Sequence, residues 1–246
     1  PSTASTAMSL VIVQPGEKLP SLAGVAGDFA DWVLAGMGVP PGTATTVYPH
    51  RGDFYPGVQD IEAVVITGSS AMVTDNAPWM LAGAGWLRQV VAAGIPMLGI
   101  CFGHQWLGAA LGGRVAPNPR GTEVGSVPVS LSGAVAGDPL LGEMPARMML
   151  PLSHRQSLTD LPPGAIHLAS SELEPNQAFR VGERTWGVQF HPEFSAVITR
   201  GYLDYHAETV TAAGRDPERL KAGVGENALG DRILRRFATI SGIRPG

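Results

Sequence analysis

The chain has one cysteine, Cys101, in 246 residues, so no intrachain disulfide can staple it and a reducing, cytoplasmic setting is expected. Charge is scarce as well. Lys, Arg, Asp and Glu make up 15% of the residues, the net charge is -4, and there is no Lys/Arg run, which removes the electrostatic basis for binding nucleic acid or an anionic membrane surface. No apolar run is long enough to span a bilayer: the longest such region, Trp86 to Leu111, is interrupted by Arg88, Gln89, Pro96 and several glycines. The first residues have neither the basic start nor the apolar stretch of a secretory signal; residues 1–7 are expected to be disordered or foreign to a natural start at Met8. The G-x-x-x-x-G-K-[ST] loop that cradles nucleotide phosphates is also missing. What is left is small-molecule chemistry on an ordinary globular chain that is 44% hydrophobic.

Short Val- and Ile-rich runs bounded by Gly or Pro recur at Leu10–Val13, Ala63–Thr67 and Met97–Ile100, with a weaker one at Thr45–Tyr48, and read as buried parallel strands. Helical periodicity lies between them. Phe29, Trp32, Val33 and Met37 mark one helix; Trp79, Leu81, Trp86, Leu87, Val90 and Val91 mark another, with Asp75-Asn76 before Pro78 as its start and Gly94 as its end. A third, Gln105–Leu111, ends at Gly112-Gly113. Strands and turns follow at Arg114–Ala116, Val124–Leu131, Arg147–Leu152, Ala165–Ala169, Gln177–Val181 and Trp186–Phe190, in a more antiparallel style. Helices return at Ala196–Ala213 and Asn227–Ser241, the latter capped by Asn227. The expectation is an α/β fold with a centrally parallel mixed sheet and helices on both faces. It is expected as a single domain over 8–246, with helices from 195 to 246 packing on it.

Cys101 sits in Gly99-Ile-Cys101-Phe-Gly103-His104-Gln105, where a buried strand runs directly into a helix. Glycines two before and two after the cysteine make room for a strained strand-to-helix turn that exposes a nucleophile at a helix N-terminus. A buried structural cysteine is the commoner fate of a free thiol, so a base is needed to decide. One is offered by Trp186-Gly-Val-Gln-Phe190-His191-Pro192-Glu193. If the strand continues through it, His191 and Glu193 share a face as i and i+2, and Pro192 ends the ladder. Imidazole as base and carboxylate as its orienter complete a Cys-His-Glu triad. A metal site is the competing reading of this pair, but His50, His167 and His206 lack ligand-like spacing to it, and no metal is expected. His104, three residues beyond Cys101, reads as a holder of backbone or neighbouring loops.

The two strings together, in this order, resemble the hallmark motifs of the class I (triad-type) glutamine amidotransferase family. Within the family the chain is most similar to stand-alone proteins like the glutaminase portion of GMP synthetase. The resemblance covers roughly Leu10 to Glu193. It implies a flavodoxin-like sheet and assigns Cys101, His191 and Glu193 as the triad. It further implies an oxyanion hole of backbone N–H groups from Gly68, Ser69 and Phe102, although Ser69-Ser70 stand where Gly and Pro are common in the family. Substrate contacts are implied for Gln105 and for the loop with Ser153, Arg155 and Gln156, where Arg155 and Gln156 replace the family's Gly and Asp. Glu123, behind the pocket, is implied to be structural.

By the same resemblance the substrate is glutamine or another γ-glutamyl compound, no cofactor is required, and ammonia leaves through a γ-glutamyl thioester on Cys101. Since the residues after Glu193 read only as helices, the ammonia acceptor is expected to be a separate synthase subunit. An independent γ-glutamyl peptidase or hydrolase with the same triad stands as the alternative. A non-catalytic interaction protein on the same fold is the second, and the intact triad argues against it. A serine-hydrolase-type esterase fits less well, because there the acid precedes the histidine by a long interval.

Overall fold

In the computed structural model, which describes residues 8–244, the apolar runs form the middle of one large sheet. Expectations about residues 1–7 fall outside the described residues. The strands are β1 (Met8–Val13), β2 (Ala44–Val47), β3 (Ile61–Ile66), β4 (Met97–Ile100), β5 (Arg114–Pro117), β6 (Glu123–Leu131), β7 (Arg147–His154), β8 (Gln156–Asp160), β9 (Ile166–Ser170), β10 (Ala178–Val181) and β11 (Thr185–Val188). The helices are α1 (Phe29–Met37), α2 (Pro78–Ala92), α3 (Phe102–Ala110), α4 (Ala196–Tyr205), α5 (Ala207–Ala212), α6 (Pro217–Ala222) and α7 (Ala228–Ile240).

The sheet runs β2-β1-β3-β4-β11-β10-β9-β6-β7. Its first five strands pair in parallel and the rest antiparallel, so the sheet is mixed with a flavodoxin-like parallel part. β5 and β8 form a small antiparallel ribbon of their own.

Alternation along each parallel strand divides the core in two. Leu10, Ile12, Val65, Leu98 and Ile100 pack with Val33 and Met37 of α1 and with Ile233, Leu234 and Phe237 of α7. Val11, Val13, Val64, Ile66 and Met97 pack on the other face with Leu87 and Val90 of α2 and Trp106 and Leu107 of α3. Both faces are therefore covered, and ligands meet such sheets at the carboxyl ends of their strands. Those ends lead here to Gly68 after β3, Cys101 after β4 and the 189–195 segment after β11.

Several local expectations are corrected. α2 has no side-chain cap: Ala77 is its N-cap, while Asp75 accepts the N–H of Met72 and Asn76 turns the chain with a positive φ. Leu81 faces solvent at 62% exposure rather than the core. α3 begins at Phe102, directly after the cysteine, and not at Gln105. The helix expected over Ala196–Ala213 breaks at His206, whose ring is held by Ser153 from β7. β8 and α6 had no counterpart in the sequence reading. β11 stops at Val188, because its partner β4 ends at Ile100, opposite Val188, where the chain turns away into the elbow. His191 and Glu193 therefore lie on a loop, and Pro192 does not end a ladder.

Candidate active site

The elbow is built by steric exclusion. A β-carbon on Gly99 would stand 2.5 Å from the carbonyl oxygen of Gly103, and one on Gly103 would stand 2.4 Å from that of Ile66, so neither position accepts a side chain without moving backbone. Between them Cys101 adopts φ 51° and ψ -101°, a strained conformation for a residue with a β-carbon that costs about 1–3 kcal/mol and is held in place by the surrounding structure. Its N–H donates to Val188 (2.9 Å), and its thiol lies 3.6 Å from the carbonyl oxygen of Ser153.

His191 reaches the same point from the loop after β11. Its N–H donates to Pro151 (2.8 Å), its ring stacks on Phe194 at 3.8 Å between centroids, and Nδ1 lies 2.8 Å from Glu193 Oε1. Gly68 lies against Cε1 of this ring. Burial by itself lowers the pKa of His191, but the electrostatic influence of Glu193 and Cys101, with the hydrogen bonds to both, outweighs it and raises the value to about 10. A buried imidazole with a carboxylate on one side and a thiol on the other is equipped to hold a proton taken from sulfur. Glu193 is buried, and its second oxygen, Oε2, has no hydrogen-bond partner among the described residues.

Of the ten site residues singled out in the sequence, eight line one cleft: Ser69, Cys101, Phe102, Gln105, Ser153, Arg155, Gln156 and His191. Gly68 and Glu193 stand against His191, the one at Cε1 and the other at Nδ1. Ser69 does more than supply backbone, since its hydroxyl donates to Pro15 (3.0 Å) and accepts from the N–H of Ala71 (3.0 Å), fixing the turn. Gln105 uses its amide N–H groups on Gln156 O and Gln189 Oε1, both at 2.8 Å. Gln156 donates to Thr74 Oγ1 at 2.6 Å and leaves its buried Oε1 without a partner among the described residues. Arg155 is exposed at the mouth, where it reaches the hydroxyl of Tyr205 at 3.3 Å.

Sequence reasoning missed the contribution of the end of α4, where Tyr202, Tyr205 and the following His206 reach the same cleft. Burial, and after it the charge of Arg155, pushes His206 down to about 4, so it is a neutral partner for Ser153. Only the helical spacing of aromatic residues in α4 could have signalled it. His104 is buried under β10 and β11 beside Phe179, with the backbone of Gly187 and Asn176 against its ring. Burial pushes it down to about 3, with the backbone of Gly187 and Asn176 offsetting this only in part. Glu123 is buried and tied to His154, Ser171 and Gln177, at 3.0, 2.7 and 2.8 Å. Among the described residues no group of three or more His, Cys, Asp or Glu side chains is arranged to hold a metal ion, and no helix is long and apolar enough to cross a membrane.

The family model described as glutamine amidotransferase class-I matches residues 32–201. The chain is 32% identical over 170 residues to a glutamine-hydrolysing GMP synthase of Porphyromonas gingivalis, an alignment covering 69% of this chain and 30% of the synthase. It is 27% identical over 149 residues to a γ-glutamyl peptidase of Arabidopsis thaliana, covering 60% of this chain and 59% of the peptidase. The chain thus spans less than two thirds of either curated relative. Among solved structures, a glutamine amidotransferase of Methylobacillus flagellatus superposes with a TM-score of 0.76 and 26% identity, covering 96% of both chains.

Proposed function

Because the chain belongs to the class-I glutamine amidotransferase family, we propose that it cleaves the γ-amide of glutamine through a γ-glutamyl thioester on Cys101. The observation that carries this reading is the convergence, in one cleft, of a cysteine on a strained elbow with a buried histidine that is itself paired to a carboxylate.

In the proposed reaction His191 takes the thiol proton, with Glu193 fixing its tautomer and supporting the imidazolium. The sulfur attacks the γ-carbonyl carbon, and backbone N–H groups of Phe102 and of the Gly68-Ser69 turn receive the oxyanion. Collapse of this intermediate breaks the C–N bond, and His191 returns its proton to the departing ammonia. A water deprotonated by His191 then attacks the thioester, releasing glutamate and restoring the thiol. Among the described residues the cleft lining has one permanent cation, Arg155, and no carboxylate, which suits the α-carboxylate end of a γ-glutamyl compound. In this reading the ammonia passes to a separate synthase subunit.

The similarity to a γ-glutamyl peptidase favours one further reading, in which the same thioester forms but the leaving group is an amino acid or peptide. Release of ammonia and glutamate from glutamine is to be measured beside hydrolysis of γ-glutamyl dipeptides, with wild type and Cys101→Ala in parallel. Faster turnover of glutamine supports the first reading and faster turnover of dipeptides the second. Equal rates for wild type and Cys101→Ala on every substrate would sink both.

A further inference from the structure

The loop that carries His191 and Glu193 has little regular structure to hold it. β11 ends at Val188 and α4 begins only at Ala196. The N–H of His191 is tied to Pro151, yet the carbonyls of this segment point away from the sheet and toward the start of α7. There the side-chain amide of Asn227 donates to three of them: Pro192 O at 3.0 Å, Phe194 O at 3.1 Å and His191 O at 3.3 Å. Its other atom, Oδ1, accepts the N–H of Gly230 at 3.1 Å and caps the helix. The first turn of α7 is pressed onto the loop, since a β-carbon on Gly230 would stand 2.3 Å from Pro192 O.

Helix capping alone does not explain asparagine at this position. Serine, threonine or aspartate offers the same acceptor to a helix N-terminus, but none of their side chains supplies an amide N–H pair. The three carbonyls belong to His191 and to the residues on either side of Glu193. Fixing them fixes the backbone from which both side chains branch, and with it the 2.8 Å contact between Nδ1 and Oε1.

We propose that Asn227 is a positioning residue for the triad, holding the His191–Glu193 loop in register with Cys101 while it caps α7. The inference rests on the reading of His191 and Glu193 as base and orienter. A misplacement of about 1 Å in such a constellation costs on the order of a hundredfold in rate.

The test separates the two jobs of the side chain. Asn227→Ser keeps an oxygen for Gly230 and loses the amide; Asn227→Ala loses both. Asn227→Ser is expected to melt close to wild type, to keep KM, and to lower kcat by about ten- to a hundredfold on whichever γ-glutamyl substrate the wild type turns over. The alkaline limb of its pH–rate profile should move to lower pH, because a loosened Glu193 no longer holds the imidazolium. Alkylation of Cys101 by iodoacetamide reads the Cys101–His191 pair with no substrate present. In Asn227→Ser it is expected to slow several-fold near about pH 6, where thiolate depends most on a charged neighbour. Wild-type kcat and wild-type alkylation in Asn227→Ser would overturn the proposal, as would a loss of rate that only follows a loss of melting temperature shared with Asn227→Ala. If the wild type turns over neither glutamine nor dipeptides, the functional reading fails by itself, and the alkylation profile still decides the role of Asn227.

Discussion

Gly68 lies directly against the imidazole of His191: a β-carbon at that position would stand 2.9 Å from Cε1 of the ring, with the Phe29 ring 3.4 Å away on another side. The histidine has little room to shift, since its ring is held by Glu193 at 2.8 Å and by the stacked ring of Phe194. The glycine after β3 is thus explained by the base as well as by the turn.

Gly68→Ala is therefore expected to push His191 away from Cys101 rather than to unfold the chain. The overpacking should cost about 1–3 kcal/mol of stability, read as a fall in melting temperature. The rate should fall by about tenfold or more, since a shift of tenths of an ångström acts directly on the base. A variant with wild-type kcat would remove Gly68 from the positioning of His191.

Glu193→Gln replaces the charge that opposes burial at His191. In the wild type the imidazolium persists to about pH 10, so activity that needs this proton for the leaving group should survive well into the alkaline range. Without the carboxylate, burial acts less opposed and the pKa of His191 falls. The alkaline limb of kcat should then move toward neutrality, and kcat itself should fall by on the order of 10²–10⁴. A pH–rate profile of both proteins tests the sign; an alkaline limb that stays fixed contradicts the role given to Glu193.

The elbow was legible in the sequence because its signal is steric and local. Gly99 and Gly103 are excluded from bearing side chains by backbone only a few residues or one strand away, so their spacing around Cys101 carries the geometry. The parallel strands were legible for a similar reason, as burial on both faces demands unbroken apolar runs. Strand alternation predicts the pairing of His191 with Glu193, and the pair forms, but on a loop: β11 ends three residues earlier, and the loop is shaped by Pro151 and Asn227, distant in sequence. β8, with Ser157, Thr159 and Asp160 on a two-stranded ribbon, has too little apolar alternation to announce a strand. The break at His206 has no glycine or proline to mark it, because it is made by a tertiary contact with Ser153.

Gln156 offers a separate test of how substrate is held. Its Oε1 is buried and unpartnered, while Nε2 is occupied by Thr74, so the free acceptor is suited to an α-ammonium group entering the cleft. Gln156→Met keeps much of the volume and removes the acceptor. It is expected to raise KM by about tenfold with a smaller effect on kcat, and to leave the melting temperature near wild type, because the lost bond to Thr74 is offset by removal of an unsatisfied buried oxygen. An unchanged KM would take Gln156 out of the substrate contacts.

His104 bears on stability rather than on the reaction. It is fully buried beside Phe179, and burial pushes its pKa down to about 3, with the backbone of Gly187 and Asn176 offsetting this only in part. In the unfolded chain the same imidazole titrates at its ordinary 6.5. Between these two values the unfolded state binds the proton and the folded state does not, so stability rises with pH and is lost progressively as pH falls from 6.5 toward 3. The slope for one such group approaches about 1.4 kcal/mol per pH unit. His104→Leu removes the titrating group from an apolar site without leaving a large void, and is expected to flatten the dependence of melting temperature on pH across this window. At neutral pH, where the wild-type imidazole is largely uncharged in both states, the variant should differ little from wild type. Denaturation curves at several pH values between about 4 and 7 would measure the two slopes; parallel curves for wild type and His104→Leu would mean that His104 is not the source of the acid sensitivity.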